Sequence, residues 1–529
     1  MTKLADQYFT LSRWVQFVLW FALIFAIKFD TVLEPPVWDT AMGVFPPAIF
    51  LYETNFNVLE LVKQADWWEG GANVHSFSVW TWFIALVMSV THHPTISFVI
   101  LHITTFAINA VAISVFVRIL FEYKAASYLA LISGIFLMLI PMVLVQIGYI
   151  YTESLVMSLS ILAWASWHHD REARAVIFAM IAIGVKLTGV VIAFCLLPLL
   201  VVRLLNRFSY KRMMLLISIP LTLLFFLSID RWLGELPATH GMDWGTKEVI
   251  FKSLRARLFR TPEITCFICF GAFTGSYYFY RLWRKNPIFN PARMLEHQGT
   301  VTGSKTIALI FTPLFSLGML AMCYTGKLFL SRYMIPMIPF AIVQIVLLAQ
   351  FIKLERVLGC IFVLGCLVSI YNHNGVLYRS TSSFSIVSYA SSSAFSIVEN
   401  SHAYQPYLQA QKTIAGEVEK LGDGVPIYVS REMDYMTSHP MMGYIEKTKP
   451  NINGVYKPRY NKKLLEDFPD QFYAVVSISW HGGERLKSLI DQAKRSEGWQ
   501  VDDVYEQKMG GYEMFIKRVS RVAESKSTL

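Results

Sequence analysis

Two carboxylates stand in this chain where charge is hardest to keep. Asp39 lies in Glu34-Pro35-Pro36-Val37-Trp38-Asp39-Thr40-Ala41-Met42-Gly43, just past the first long apolar run. Glu153 follows the apolar stretch 125–150 and opens another, 154–168, with no base adjacent in sequence. A positioned carboxylate can take the proton from a hydroxyl or a water, which is general-base chemistry. Charged groups beside hydrocarbon are costly and often functional. Each acid also has a structural explanation. Asp39 before Thr-Ala-Met is a good helix N-cap, and Glu153 is a helix-start acid favoured by the macrodipole.

A phosphate leaving group at a bilayer surface would need cations beside such a base. The segment 231–262 carries Arg231, Lys247, Lys252, Arg255, Arg257 and Arg260, more bases than acids. Arginine forks match phosphate geometry, although attraction to anionic headgroups explains the same charges. Arg332 and Tyr333 open an apolar run as Ser331-Arg332-Tyr333-Met334-Ile335-Pro336, and Lys186 interrupts another as Lys186-Leu187-Thr188-Gly189. Either cation could snorkel to the interface or point inward at a phosphate.

The elements that must position these residues are membrane helices. Of 529 residues, 54% are hydrophobic and only 16% charged, whereas soluble domains carry about 25% charged residues. The apolar runs are close to the roughly 20 residues of a bilayer-crossing helix. The net charge of +10 does not indicate nucleic-acid binding, because the bases cluster between apolar runs as the positive-inside bias demands. All six cysteines lie in apolar runs, and the Cys266-x-x-Cys269 spacing has no second pair or histidine beside it. They suggest small core residues rather than a metal site. The first run has no small-residue cleavage pattern after it and is expected to remain as an anchor.

Requiring basic loops on one side orders about eleven spans: 11–28, 95–120, 124–145, 154–168, a hairpin over 175–205 turning near Lys186, 213–230, 263–281, 305–324, 332–352 and 357–372. Residues 30–92 form the first extracytoplasmic loop. From Asp30 to His75 it holds seven acids and one base, Lys63, the reverse of a cytoplasmic loop. Within it the aromatic segment 76–92 is expected to lie along the interface; if it crossed, every later side would invert. Residues 373–403 form a Ser-rich linker. Residues 404–529 form a soluble α/β domain, outside the cytoplasm, with a helical face at Tyr407, Gln411, Ile414, Val418 and Leu421 and strands near 425–429, 473–478 and 512–516.

In combination these features resemble the GT-C superfamily of membrane glycosyltransferases, in particular the branch holding lipid A aminoarabinose transferases and dolichyl-phosphate-mannose protein mannosyltransferases. The resemblance covers about residues 10–372. It rests on Trp38-Asp39-Thr40-Ala41-Met42-Gly43 with Phe45-Pro46-Pro47, on Trp67-Trp68-Glu69-Gly70-Gly71-Ala72-Asn73-Val74-His75, on Tyr151-Thr152-Glu153, on Lys186-Leu187-Thr188-Gly189 and on Arg332-Tyr333-x-x-Pro336-x-x-Pro339. It implies a polytopic α-helical fold with interfacial helices in the first loop, in a bacterial inner or plasma membrane. It implies inverting transfer of a sugar from a polyprenyl-phosphate carrier to a lipid, glycan or protein acceptor. Asp39 would be the base and Glu153 an orienting acid. Arg257, Arg260, Arg332, Tyr333 and Lys186 would bind the phosphate, with His75 a lesser donor contact. Many relatives carry a second acid where Thr40 stands, so no obligate metal and no other cofactor is expected. The rival from another class is a lipid or polysaccharide transporter, which often shows repeated halves; none is visible in this sequence.

Overall fold

The computed structural model describes residues 2–37, 40–63, 77–206, 208–234, 335–371, 404–455, 465–477, 483–509 and 512–522, with positions 273 and 276. It is mostly helical, with one small sheet near the C-terminus.

Helix α1 (Thr2–Thr10) precedes α2 (Arg13–Lys28). The Ser12 hydroxyl caps α2 by accepting from the Val15 N–H at 3.3 Å, and a 3₁₀ turn, Phe29–Thr31, ends it. A π-helical turn, Thr40–Val44, leads into α3 (Phe45–Glu53). Pro46 and Pro47 sit in the first turn of α3, where no intrahelical N–H is owed. Helices α4 (Val58–Lys63) and α5 (Val79–Thr91) follow, then the long α6 (Pro94–Glu122). The 13 residues of α5 rise about 20 Å, less than the roughly 30 Å of hydrocarbon.

The stretch read as one run from 124 to 145 is two helices. Helix α7 (Ser127–Leu139) and α8 (Pro141–Gly148) meet at a 63° bend. Pro141 is the physical cause, because it owes no N–H and restricts Ile140 to extended backbone. Helix α9 (Thr152–His168) runs back along α6 and packs on α10 (Glu172–Val185). A 3₁₀ turn at Leu187–Gly189 then starts α11 (Val190–Asn206), followed by α12 (Tyr210–Gly234). Later come α13 (Ile338–Phe351) and α14 (Glu355–Tyr371). Stacked rings of Phe136 and Phe362, 4.9 Å apart, join α14 to α7.

Among the described residues two helices are long and apolar enough to cross a membrane, Arg13–Thr31 and Pro94–Glu122, or three if the bent pair is one span. Helices α5, α11 and α13 are apolar but shorter. Among the described residues the chain therefore carries helices suited by length and composition to span a membrane, while eleven spans exceed what these helices supply. The spans expected at 263–281 and 305–324 and the linker 373–403 fall outside the described residues or almost wholly so.

Two loops assigned to one face do meet. Arg203 donates to Asp170 Oδ1 and Glu172 Oε1, each at 2.6 Å, and Arg212 donates to Glu172 at 3.0 Å. Bases that read as a topogenic charge cluster are thus partly consumed in tying the α9–α10 loop to the α11–α12 loop.

The C-terminal part begins with α15 (Gln405–Lys420), followed by β1 (Ile427–Val429), α16 (Arg431–Ser438), β2 (Ile452–Gly454), β3 (Gln471–Val476), α17 (Gly483–Arg495), β4 (Trp499–Met509) and β5 (Tyr512–Arg521). The sheet order is β2-β1-β3-β5-β4. The first three strands are parallel; β5 runs antiparallel to β3 and β4 antiparallel to β5. Alternation along β3 and β5 splits the core between the two faces. Phe472, Ala474, Val476, Phe515 and Val519 pack with Leu486, Leu489 and Ile490 of α17. Val475, Met514 and Ile516 belong with Tyr407, Ile414 and Val418 of α15 to a core continuous with the apolar helices of the N-terminal part.

Candidate functional site

Five distant parts of the chain reach one short junction, Gly148 to Glu153, between α8 and α9. Ile150 sits there at φ +58, a left-handed conformation uncommon for a β-branched residue and retained only where its surroundings hold it. Those surroundings are specific. The Thr40 hydroxyl donates to the Tyr149 carbonyl at 3.3 Å, and Trp80 Nε1 donates to the Ile150 carbonyl at 3.2 Å. The Tyr404 ring lies 4.3 Å from the Tyr149 ring. Lys28 lies against Gly148, where an added Cβ would stand 3.3 Å from its ammonium nitrogen. Lys186 reaches Glu153 from the α10–α11 turn.

Glu153 opens α9 and is fully buried. Lys186 Nζ donates to its Oε1 at 2.6 Å, and the Thr152 hydroxyl donates to its Oε2 at 2.9 Å. The acid that lacked a base next to it in sequence therefore has one across 33 residues. The partner arrives through packing of α10 on α9, which no local spacing reveals. Lys186 neither snorkels nor presents a free ammonium. The turn that carries it is tight. A Cβ on Gly189 would collide with the Ala182 backbone, so glycine is required for the chain to fold back there. The Ser78 hydroxyl donates to the Val185 carbonyl at 2.9 Å, tying the end of the first loop to the same turn.

Lys28 was missed by sequence reasoning. At the end of α2 it reads as a flanking base, yet it is fully buried, and among the described residues its ammonium has no hydrogen-bond partner. Thr188 Oγ1 and His102 Nδ1 are likewise buried without one. Buried polar groups are normally satisfied, so each of these atoms is an exception to that rule among the described residues. The signal available in sequence was a lysine directly preceding Phe29-Asp30 rather than a basic cluster.

The C-terminal domain closes over the first loop. Tyr404 Oη and Gln405 Nε2 donate to the Glu34 carboxylate at 3.1 and 2.5 Å, and Tyr444 Oη donates to the Pro36 carbonyl at 2.8 Å. His439 Nδ1 lies 3.0 Å from Glu53 Oε1. Gly443 has φ +76, and a Cβ there would meet the Phe98 ring at 2.5 Å. Burial raises the Glu34 carboxyl above its ordinary range, against the opposing hydrogen bonds from Gln405 and Tyr404. Burial also lowers Lys412, with the Glu34 charge acting the other way.

Of the residues singled out from sequence, Glu153 and Lys186 are brought together. Asp39, His75, Arg257, Arg260, Arg332 and Tyr333 lie outside the described residues, as do Cys266 and Cys269. Thr40, the neighbour of Asp39, is fixed to Tyr149, four residues before Glu153. Chemically, the junction offers a held carboxylate, a buried ammonium and hydroxyls under a docked domain.

No protein-family model matches this chain, and no curated protein or solved structure matches it either.

Proposed function

We propose that this chain is a membrane glycosyltransferase of the GT-C kind, moving a sugar from a polyprenyl-phosphate carrier to an acceptor hydroxyl on the side of the first loop. The observation that supports this most is the junction Gly148–Glu153, where the segment bearing Asp39, the Glu153–Lys186 pair and the buried Lys28 converge. In this reading Asp39 takes the proton of the acceptor hydroxyl. The acceptor oxygen attacks the anomeric carbon from the face opposite the carrier. The carbon–oxygen bond to the carrier breaks, and the phosphate leaves with the electron pair. Lys28 joins Arg257, Arg260, Arg332 and Tyr333 as a group meeting that phosphate, which preorganised cations stabilise. Lys186 holds Glu153 in place, so that Glu153 orients the acceptor or the sugar, with His75 a further donor contact. The C-terminal domain, seated on Glu34 and Pro36, limits access of water and acceptor to the junction.

A transporter is the second reading. The 63° break between α7 and α8 favours it, because broken helices line substrate paths in carriers. Mass spectrometry of envelope glycolipids, glycans and glycoproteins from a deletion strain separates the two. An acceptor lacking one sugar, restored by the wild type and not by Asp39→Asn, supports the enzyme. An unmodified acceptor pool with the lipid-linked sugar redistributed between leaflets supports the transporter.

A further inference from the structure

At the end of α9 remote from Glu153 stands a second cluster that the proposed transfer does not use. Helix α6 ends at Glu122, and α9 ends at His168 with His169 as its cap. Fifteen residues separate Glu153 from His168, about 22 Å along a helix. Glu122 Oε2 is 3.0 Å from His168 Nε2 and 3.7 Å from His169 Nε2. One ligand atom from each of the three residues lies within 4.8 Å of the others. Ligands bonded to one tetrahedral ion at 2.0–2.1 Å are about 3.3 Å apart, and the two measured separations bracket that value.

The surroundings hold the donors in place. Arg118 lies 3.4 Å from the other Glu122 oxygen, Oε1, leaving Oε2 turned to the imidazoles. The His168 ring is packed edge-on against Tyr123 at 5.1 Å and against His169 at 4.9 Å. Two imidazoles and one carboxylate are a donor set for zinc and its first-row neighbours rather than for magnesium or calcium.

We propose that Glu122, His168 and His169 form a binding site for a divalent transition-metal ion of the zinc class, clamping the end of α6 to the end of α9. The ion completes its shell with water, and its role is to fix the helix that carries Glu153 at the other end. The clamp stands independently of the sugar-transfer reading.

The test uses the full chain without an affinity tag, purified in detergent, stripped with chelator and titrated with Zn²⁺, with Co²⁺ as a visible-absorbance probe. One equivalent should bind per chain, and Zn²⁺ should raise the thermal midpoint. His169→Ala and Glu122→Gln should each weaken binding at least about tenfold and abolish the midpoint rise. His169 is about one-third exposed, so its variant should melt like the wild type without metal, which separates loss of a ligand from misfolding. The double variant at the other adjacent histidines, His92→Ala with His93→Ala, should bind as the wild type does. No binding by the wild type, unchanged affinity in His169→Ala, or loss of binding in the His92/His93 variant overturns the proposal.

Discussion

Breaking the Glu153–Lys186 pair should cost far more than breaking a surface ion pair, and the two single variants should differ from each other. At 2.6 Å the direct attraction is about 6 kcal/mol for an effective dielectric constant near 20. Desolvation of each buried ion takes back several kcal/mol, so the intact pair adds little net stability. Removing one member is another matter, because the other charge stays buried, at about 3–5 kcal/mol. The side chains are 0% exposed for Glu153 and 10% for Lys186, so a stranded Glu153 has less recourse to water than a stranded Lys186. Lys186→Met should therefore fall at the upper end and Glu153→Gln below it. The double variant should recover part of the loss, with a coupling of about 2–3 kcal/mol. The assay is reversible unfolding in bicelles, followed by tryptophan fluorescence, since Trp80, Trp164 and Trp167 are buried. Strictly additive single losses, or losses below about 1 kcal/mol as at exposed pairs, would refute the buried-pair account.

Three further outcomes are expected. Lys28→Met removes a buried ammonium that has no hydrogen-bond partner among the described residues, so unfolding should become harder by about 1–3 kcal/mol while binding of a polyprenyl-phosphate sugar is lost; reduced stability with normal binding would contradict its role. Gly189→Ala forces the hairpin apart at the Ala182 backbone, and proteolysis at the α10–α11 turn should increase together with loss of the Glu153–Lys186 coupling. Glu34 is protonated more readily in the docked state than when free, because burial raises it. Docking is thus fully favoured below the ordinary carboxyl range and weakens as pH rises through the raised value. Cleavage between residues 373 and 403 should accelerate over that rise, and Glu34→Gln should flatten the dependence.

Local patterns carried the helices. The break at Lys186-Leu187-Thr188-Gly189 is a 3₁₀ turn between α10 and α11, and the face Tyr407, Gln411, Ile414 and Val418 is the buried side of α15, because amphipathic periodicity is written along the chain. Leu421 instead caps that helix. Strand β4 escaped detection because Trp499–Met509 is crowded with charge and lies at the sheet edge, paired on one side only; β2 is three residues long. The site was less legible than the fold. That Glu153 would be buried against Lys186, and Lys28 against Gly148, depends on tertiary packing between segments 33 and 120 residues apart. The docking of Tyr404 and Tyr444 on Glu34 and Pro36 spans about 370 and 408 positions, beyond any spacing rule.

Transfer itself is the decisive measurement. Proteoliposomes holding the chain, a radiolabelled polyprenyl-phosphate sugar and acceptors from the deletion strain should yield a labelled glycosidic product and free polyprenyl phosphate. Asp39→Asn should lower that yield by about 100-fold or more. Label that crosses the bilayer while still attached to its carrier, or an Asp39→Asn protein as active as the wild type, would contradict the account.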